Sequence, residues 1–138
     1  MPQKGGISLP SVKDVAIETT VEVLAFMEGL IQVSGNLQVS AVAAQEVKPG
    51  DPIAVDDSTK KWIPYVDDGS GGAETAIGIV RIGGTTAKTA DGGVDAPIEV
   101  IIAGAVKIDV VEAASNWHTD VITELGMKKK IPANAYIF

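Results

Sequence analysis

From Asn36 onward the chain consists of short runs of apolar, β-branched residues cut by turn formers. Leu37-Gln38-Val39-Ser40-Ala41-Val42 alternates apolar and polar, which predicts a strand with one buried face. Val47-Lys48-Pro49-Gly50-Asp51 reads as a turn, because proline presets φ and glycine accepts positive φ. It leads into a strand at Pro52-Ile53-Ala54-Val55, after which Asp56-Asp57-Ser58 turns the chain again. Trp62-Ile63-Pro64-Tyr65-Val66 predicts a short strand that Pro64 confines to an edge or a bulge. Asp67 to Gly72 is a loop. The β-branched runs Ala76–Ile82 and Ile98–Ile102 are two further strands joined by a loop from Gly83 to Pro97, and Val106–Val111 predicts another. One short helix is expected over Asn116–Leu125, capped by Ser115 or Asn116 and ended by Gly126. Ile131–Phe138 completes the chain as a strand or extended tail.

Residues 1–35 follow a different pattern. Met1 to Leu9 is punctuated by glycine and proline. Val12, Val15, Ala16, Thr19 and Val23 mark a helical stripe, and Ser11 before Asp14 imitates a helix-start box. Against this, Thr19-Thr20-Val21-Glu22-Val23 is β-branched and alternates at period two. The expectation is an extended N-terminal arm over 1–35, with a strand near 19–26, joined to a β-rich domain over 36–138. About 30 extended residues reach about 100 Å at ~3.3 Å each. The segment Thr19, Thr20, Val21, Glu22, Val23, Leu24, Ala25 and Phe26 is the candidate contact surface, since such a strand can add to an exposed sheet edge through main-chain hydrogen bonds. The body from Leu37 is expected to fold without residues 1–30.

Composition narrows the picture. A chain of 138 residues is one domain with room for an arm. Hydrophobic residues make up 46% but aromatics only 4%, so the core is built from Val, Ile, Ala and Leu. The net charge of −7 argues against a general affinity for nucleic acid, which needs clustered Lys and Arg. The one basic cluster, Lys128-Lys129-Lys130, reads as a solvated terminus. There is no cysteine, hence no disulfide, thiolate metal site or cysteine nucleophile. Met-Pro-Gln-Lys-Gly-Gly lacks the apolar stretch of a secretory signal, and no run approaches the roughly 20 apolar residues that span a bilayer. A soluble protein without membrane contact is expected.

Candidate chemistry is sparse. Gly83-Gly84-Thr85-Thr86-Ala87-Lys88-Thr89 has the flavour of a phosphate loop, but Ala87 stands where a glycine must precede the lysine, and Ile82 occupies the other glycine position. Asp51, Asp56, Asp57, Asp67, Asp68, Asp91 and Asp95 read as turn formers, without the ligand spacing of a calcium loop. His118 is the sole histidine; Ser115 and Asp120 lie nearby in sequence but do not converge with it into a triad, and a first-turn helix position beside Trp117 accounts for it. Trp62, Trp117, Phe26, Tyr65, Tyr136 and Phe138 are expected as buried or interface anchors. No catalytic set, cofactor or metal site is expected, and the chain does not read as an enzyme.

Several segments resemble one family in order and spacing. They are Val47-Lys48-Pro49-Gly50-Asp51-Pro52-Ile53, Lys61-Trp62-Ile63-Pro64-Tyr65, Glu74-Thr75-Ala76-Ile77-Gly78-Ile79, and Asp95-Ala96-Pro97-Ile98-Glu99-Val100 followed by Gly104-Ala105-Val106-Lys107-Ile108. Together they resemble the head-decoration, or capsid-cement, proteins of tailed bacteriophages, the family of lambda's protein D, over about residues 37–138. The closest match is the Thr-Ala-x-Gly-Ile step into a strand; residues 1–36 depart from the family's arm. The resemblance implies a mainly β fold, a small β-rich barrel or tulip-like domain with one short helix and an extended N-terminal arm. It also implies a homotrimer seated at local three-fold positions on the outer surface of an expanded icosahedral virion head, assembled in the host cytoplasm. The implied partner is the major capsid protein, bound by the arm, with no direct contact to nucleic acid. Two rivals remain: another virion tail or surface-adhesion β module, and a small trimeric β enzyme such as a nucleotide hydrolase, whose catalytic Asp and phosphate loops are not seen.

Overall fold

The computed structural model describes residues 22–131 and 134–138, and within them the chain is mainly β with two short helices. Nine strands form in chain order: β1 (Leu24–Leu37), β2 (Gln45–Val47), β3 (Pro52–Val55), β4 (Trp62–Pro64), β5 (Gly78–Ile82), β6 (Gly84–Thr86), β7 (Ala96–Lys107), β8 (Lys128–Lys130) and β9 (Ala135–Ile137). The helices α1 (Ile108–Glu112) and α2 (Asp120–Leu125) lie between β7 and β8, and a 3₁₀ turn covers Thr89–Asp91. Pairing runs β1–β4–β3–β5–β7 and returns from β7 to β1, so five strands close a ring, with β9 and β8 added beyond β7. All contacts in the ring are antiparallel except β1–β4. β2 and β6 form a separate antiparallel pair.

Alternation along the ring strands sends side chains into two cores. Val80 and Val100 lie opposite each other across β5 and β7 and pack with Leu37, Val47, Ile53 and Ile98, while Val33 and Trp62 complete that cluster. All five ring strands contribute to it, which makes it the filling of the barrel. Ile79 and Ile101, the neighbouring pair, face the other way and pack with Ala54, Tyr65, Val106, Val111, Val121 and Tyr136. Both faces of β5 and β7 are therefore buried, which is why their sequences are continuous apolar runs. Trp117 stacks on Tyr136 with ring centroids 6.0 Å apart and, with Phe138, closes the outer cluster.

Several expectations are corrected by packing. Val106–Val111 does not continue as a strand: β7 stops at Lys107 and α1 begins at Ile108. Its β-branched residues favour a strand, but Ile108 and Val111 fall three apart on one helical face and are both buried. Among the described residues there are thus two short helices, Ile108–Glu112 in addition to the expected one. α2 starts at Asp120, after Thr119, because Asn116 is used elsewhere: its amide donates to the Pro52 carbonyl at 3.1 Å and the Tyr65 carbonyl at 3.0 Å. Gly126 ends α2 in the left-handed conformation, as the sequence predicts. The alternation Leu37–Val42 does not extend β1, since the Asp95 carboxylate takes the N–H of Val39 at 2.9 Å. Part of the Gly83–Pro97 loop is strand β6. Lys128–Lys130 is an exposed edge strand paired to β9, where a row of lysines discourages pairing with further chains.

The expected arm is also redrawn. Residues 1–21 lie outside the described residues. Residues 24–35 belong to β1, which pairs with β7 along most of its length. Val23 is fully buried and Leu24 nearly so, both in the outer core. β1 is irregular where Met27, Glu28, Gly29 and Leu30 stand opposite Gly104 alone.

Two outcomes follow from this packing. A chain beginning at residue 31 loses Val23, Leu24 and the first turns of the β1–β7 ladder. Urea unfolding should show it less stable than the full chain by about 3–6 kcal/mol, at ~1.5–3 kcal/mol per buried aliphatic side chain; an unchanged midpoint would remove residues 23–30 from the fold. Gly78 opens β5 where a Cβ would stand 2.6 Å from both the Ile101 carbonyl oxygen and Val100 Cγ1. Gly78→Ala should therefore cost about 1–3 kcal/mol through overpacking, read from the shift in thermal midpoint.

Candidate functional site

The loops around the barrel are tied by carboxylates and amides accepting and donating main-chain hydrogen bonds. Asp56 accepts from the N–H of Ser58 at 2.8 Å and of Thr59 at 3.1 Å, and these bonds hold its carboxyl far below the usual range. Asp95 accepts from Lys61 Nζ at 2.6 Å and from Val39 N, and both bonds lower its pKa. Asp51 accepts from Lys48 N at 2.9 Å, but burial outweighs that bond and pushes its carboxyl up. Asp51 and Asp56 thus close local turns as the sequence suggests, whereas Asp95 ties together segments distant in sequence. On the outer surface of β1, β5 and β7, Glu99 accepts from Ser34 Oγ at 2.7 Å and Gln32 Nε2 at 2.9 Å, while Arg81 bonds Gln32 Oε1 and reaches Glu22 at 3.4 Å. The two side-chain donors hold the Glu99 carboxyl low.

The candidate contact segment is divided by the fold. Thr19, Thr20 and Val21 lie outside the described residues. Glu22 is exposed, and its Oε1 accepts the N–H of Leu24 at 3.0 Å. Val23 and Leu24 point into the core, Leu24 and Phe26 pair with Val106 and Ala105, and Ala25 lies between them. Lys130 Nζ sits 5.3 Å from the centre of the Phe26 ring. One edge of the main chain from Leu24 to Phe26 is thus taken by β7.

One open apolar surface lies where β1 ends and β7 begins. Ala41, Val42, Ala43 and Ala44 are all exposed, Val42 at 87%, and Val94 on the facing loop is 73% exposed. The two loops are held together by Thr89 N donating to the Ser40 carbonyl at 2.9 Å and by Val39 N donating to Asp95. The result is an apolar rim on a fixed frame. An open groove elsewhere, between the turn after β2 and α1, is lined by Lys48, Pro49, Asp51, Asp109 and Val110.

A third feature is a convergence that the sequence does not announce. Asp67, His118 and Asp120 each bring a ligand-type atom to within 4.8 Å of the others. His118 Nδ1 stands 3.1 Å from Asp67 Oδ1 and 3.6 Å from Asp120 Oδ2. Beneath them the Tyr65 hydroxyl donates to Asp67 Oδ1 at 2.9 Å. Tyr65 is fully buried, and burial with the Asp67 bond drives its pKa strongly upward, so it stays a donor. His118-Thr119-Asp120 is a visible local pair in the sequence, but Asp67 arrives from the loop after β4. Only the fold unites them, because Asn116 anchors the start of this connection to the Tyr65 carbonyl. Ser115 is not part of this set.

Compared with protein-family models, with curated proteins and with solved structures, the chain matches none.

Proposed function

We propose that this protein is a structural binding module, a capsid-decoration or cement protein. In this reading it seats as a homotrimer at three-fold positions on the outside of an expanded phage head, against the major capsid protein, and stabilises the shell. The observation that carries the proposal is where the resembling segments fall. Those at Val47–Ile53, Lys61–Tyr65, Glu74–Ile79, Asp95–Val100 and Gly104–Ile108 contain or overlap β3, β4, β5 and β7, four of the five ring strands. The glycine of the closest match, Gly78, is the residue whose missing side chain lets β5 lie against β7. The motifs therefore have a structural reason to occur together.

A protein of this kind works by mass action. Binding the assembled, expanded lattice and not the separate subunits raises the stability of the lattice. Three copies around an axis engage several shell subunits, and modest contacts add through multivalency. The apolar rim at Val42 and Val94 supplies a contact surface on the described part of the chain. Contacts by residues 1–21 belong to the same proposal.

The experiment is co-sedimentation of the untagged full chain with expanded, undecorated heads assembled from the cognate capsid protein. Saturable uptake in multiples of three per local axis, and a higher melting temperature of the loaded heads, is the expected result. Val42→Asp with Val94→Asp should keep the melt of the free protein and weaken uptake roughly tenfold, the effect of losing about 1.4 kcal/mol. Absence of uptake by the unaltered chain, together with binding to host surfaces, would replace this reading by that of a tail or adhesion module.

A further inference from the structure

The convergence of Asp67, His118 and Asp120 has a specific electrostatic problem. The N–H of Asp120 points at His118 Nδ1 from 3.1 Å, which makes Nδ1 an acceptor. Asp67 Oδ1, also an acceptor, faces the same nitrogen at 3.1 Å. A proton on Nδ1 would satisfy Asp67 but would then confront the Asp120 N–H, so protonation resolves one contact at the cost of the other. Among the described residues no lysine or arginine forms an ion pair with Asp67 or Asp120. Glu124 adds a further negative charge acting on the same buried Tyr65 hydroxyl.

The distances suit another occupant. Ligands held at ~2.1 Å in a tetrahedral zinc shell lie about 3.4 Å from one another. The two separations from Nδ1, 3.1 and 3.6 Å, bracket that edge, and all three ligand atoms lie within 4.8 Å of one another. One imidazole nitrogen with two carboxylate oxygens is a donor set for zinc or a similar borderline divalent metal, whereas calcium takes six to eight oxygens. The Tyr65 hydroxyl supplies the outer hydrogen bond that orients the Asp67 carboxylate. The ligand side chains are half-exposed, at 38% for Asp67, 44% for His118 and 62% for Asp120, so an ion can reach them without opening the core.

We propose that Asp67, His118 and Asp120 form a divalent transition-metal site, with zinc as its natural occupant, that clips the loop after β4 to the start of α2. The fourth position is open to water or to a donor from a neighbouring molecule. Binding requires the Asp120 N–H to yield the Nδ1 lone pair. The clip holds the loop that covers Tyr65, and through it the outer core. This inference is independent of the proposed capsid role.

The test is titration of the untagged 138-residue chain, stripped with chelator, with zinc chloride and in parallel with calcium chloride. Calorimetry and native mass spectrometry should show one zinc per chain, and the thermal midpoint should rise with zinc. Because the chain has a single histidine and no cysteine, an imidazole-dependent signal has one source. His118→Gln and Asp67→Asn should abolish stoichiometric uptake while keeping the far-ultraviolet spectrum of the unaltered chain. Tyr65→Phe, which removes only the orienting bond, should weaken it roughly tenfold. Failure of the unaltered chain to take up zinc, undiminished uptake by His118→Gln, or calcium bound as tightly as zinc would each overturn the proposal. So would a histidine resonance that titrates identically with and without zinc, which would leave His118 and Asp67 as a plain ion pair.

Discussion

Strand β7 must bury both of its faces at once, and the rest of the fold follows from that demand. Over its 12 residues it pairs with β1 along one edge and with β5 and then β9 along the other. Val100 fills the barrel while Ile101, the next residue, faces the outer core. Since aromatics are scarce, each apolar contact is small, and burial must be nearly complete to hold the chain together. Ring closure covers the inner face. The outer face needs α1, α2, β9 and the stretch Val23–Leu24, which is why residues at the very start of the described chain are core residues.

Packing of small β-branched side chains leaves little to hold the long connections, and polar fasteners take that role. Asp56 and Asp95 each close a loop by accepting main-chain N–H groups, and Asn116 spans two strand ends with a single amide. A hydrogen bond to a charged group contributes more than a neutral one, so an acid-rich chain can fix its loops without a large core. The same abundance of carboxylates brings Asp67 and Asp120 together around His118, where no lysine or arginine among the described residues pairs with them. Loop fastening and candidate metal ligation thus draw on one compositional bias.

The closed barrel is a frame that carries its loops, and the two candidate surfaces lie on those connections. The apolar rim is fixed by the Ser40–Thr89 and Val39–Asp95 bonds, so its exposed valines are presented with little entropy left to lose on docking. The Asp67–His118–Asp120 set is held from below by Tyr65. Exposed apolar contact and metal ligation require different chemistry, and the frame keeps them on separate segments of chain.

The β character of the chain, the strand Pro52–Val55, the positions of β5 and β7 and the left-handed stop at Gly126 were legible in the sequence. Each depends on local signals: β-branched runs, proline and glycine turns, and a helix stop. Tertiary structure decided the rest. Ile108–Val111 became helix because the outer core needed residues three apart on one face, and the chain left the sheet after Leu37 because a distant aspartate captured the N–H of Val39. Residues 24–35 became a ring strand because β7 had an edge to fill, a demand invisible in their own composition. Asp67 met His118 because Asn116 tied two connections together across 51 residues. Local pattern specifies what a segment prefers; which partner takes its hydrogen bonds and covers its faces depends on residues far away in sequence.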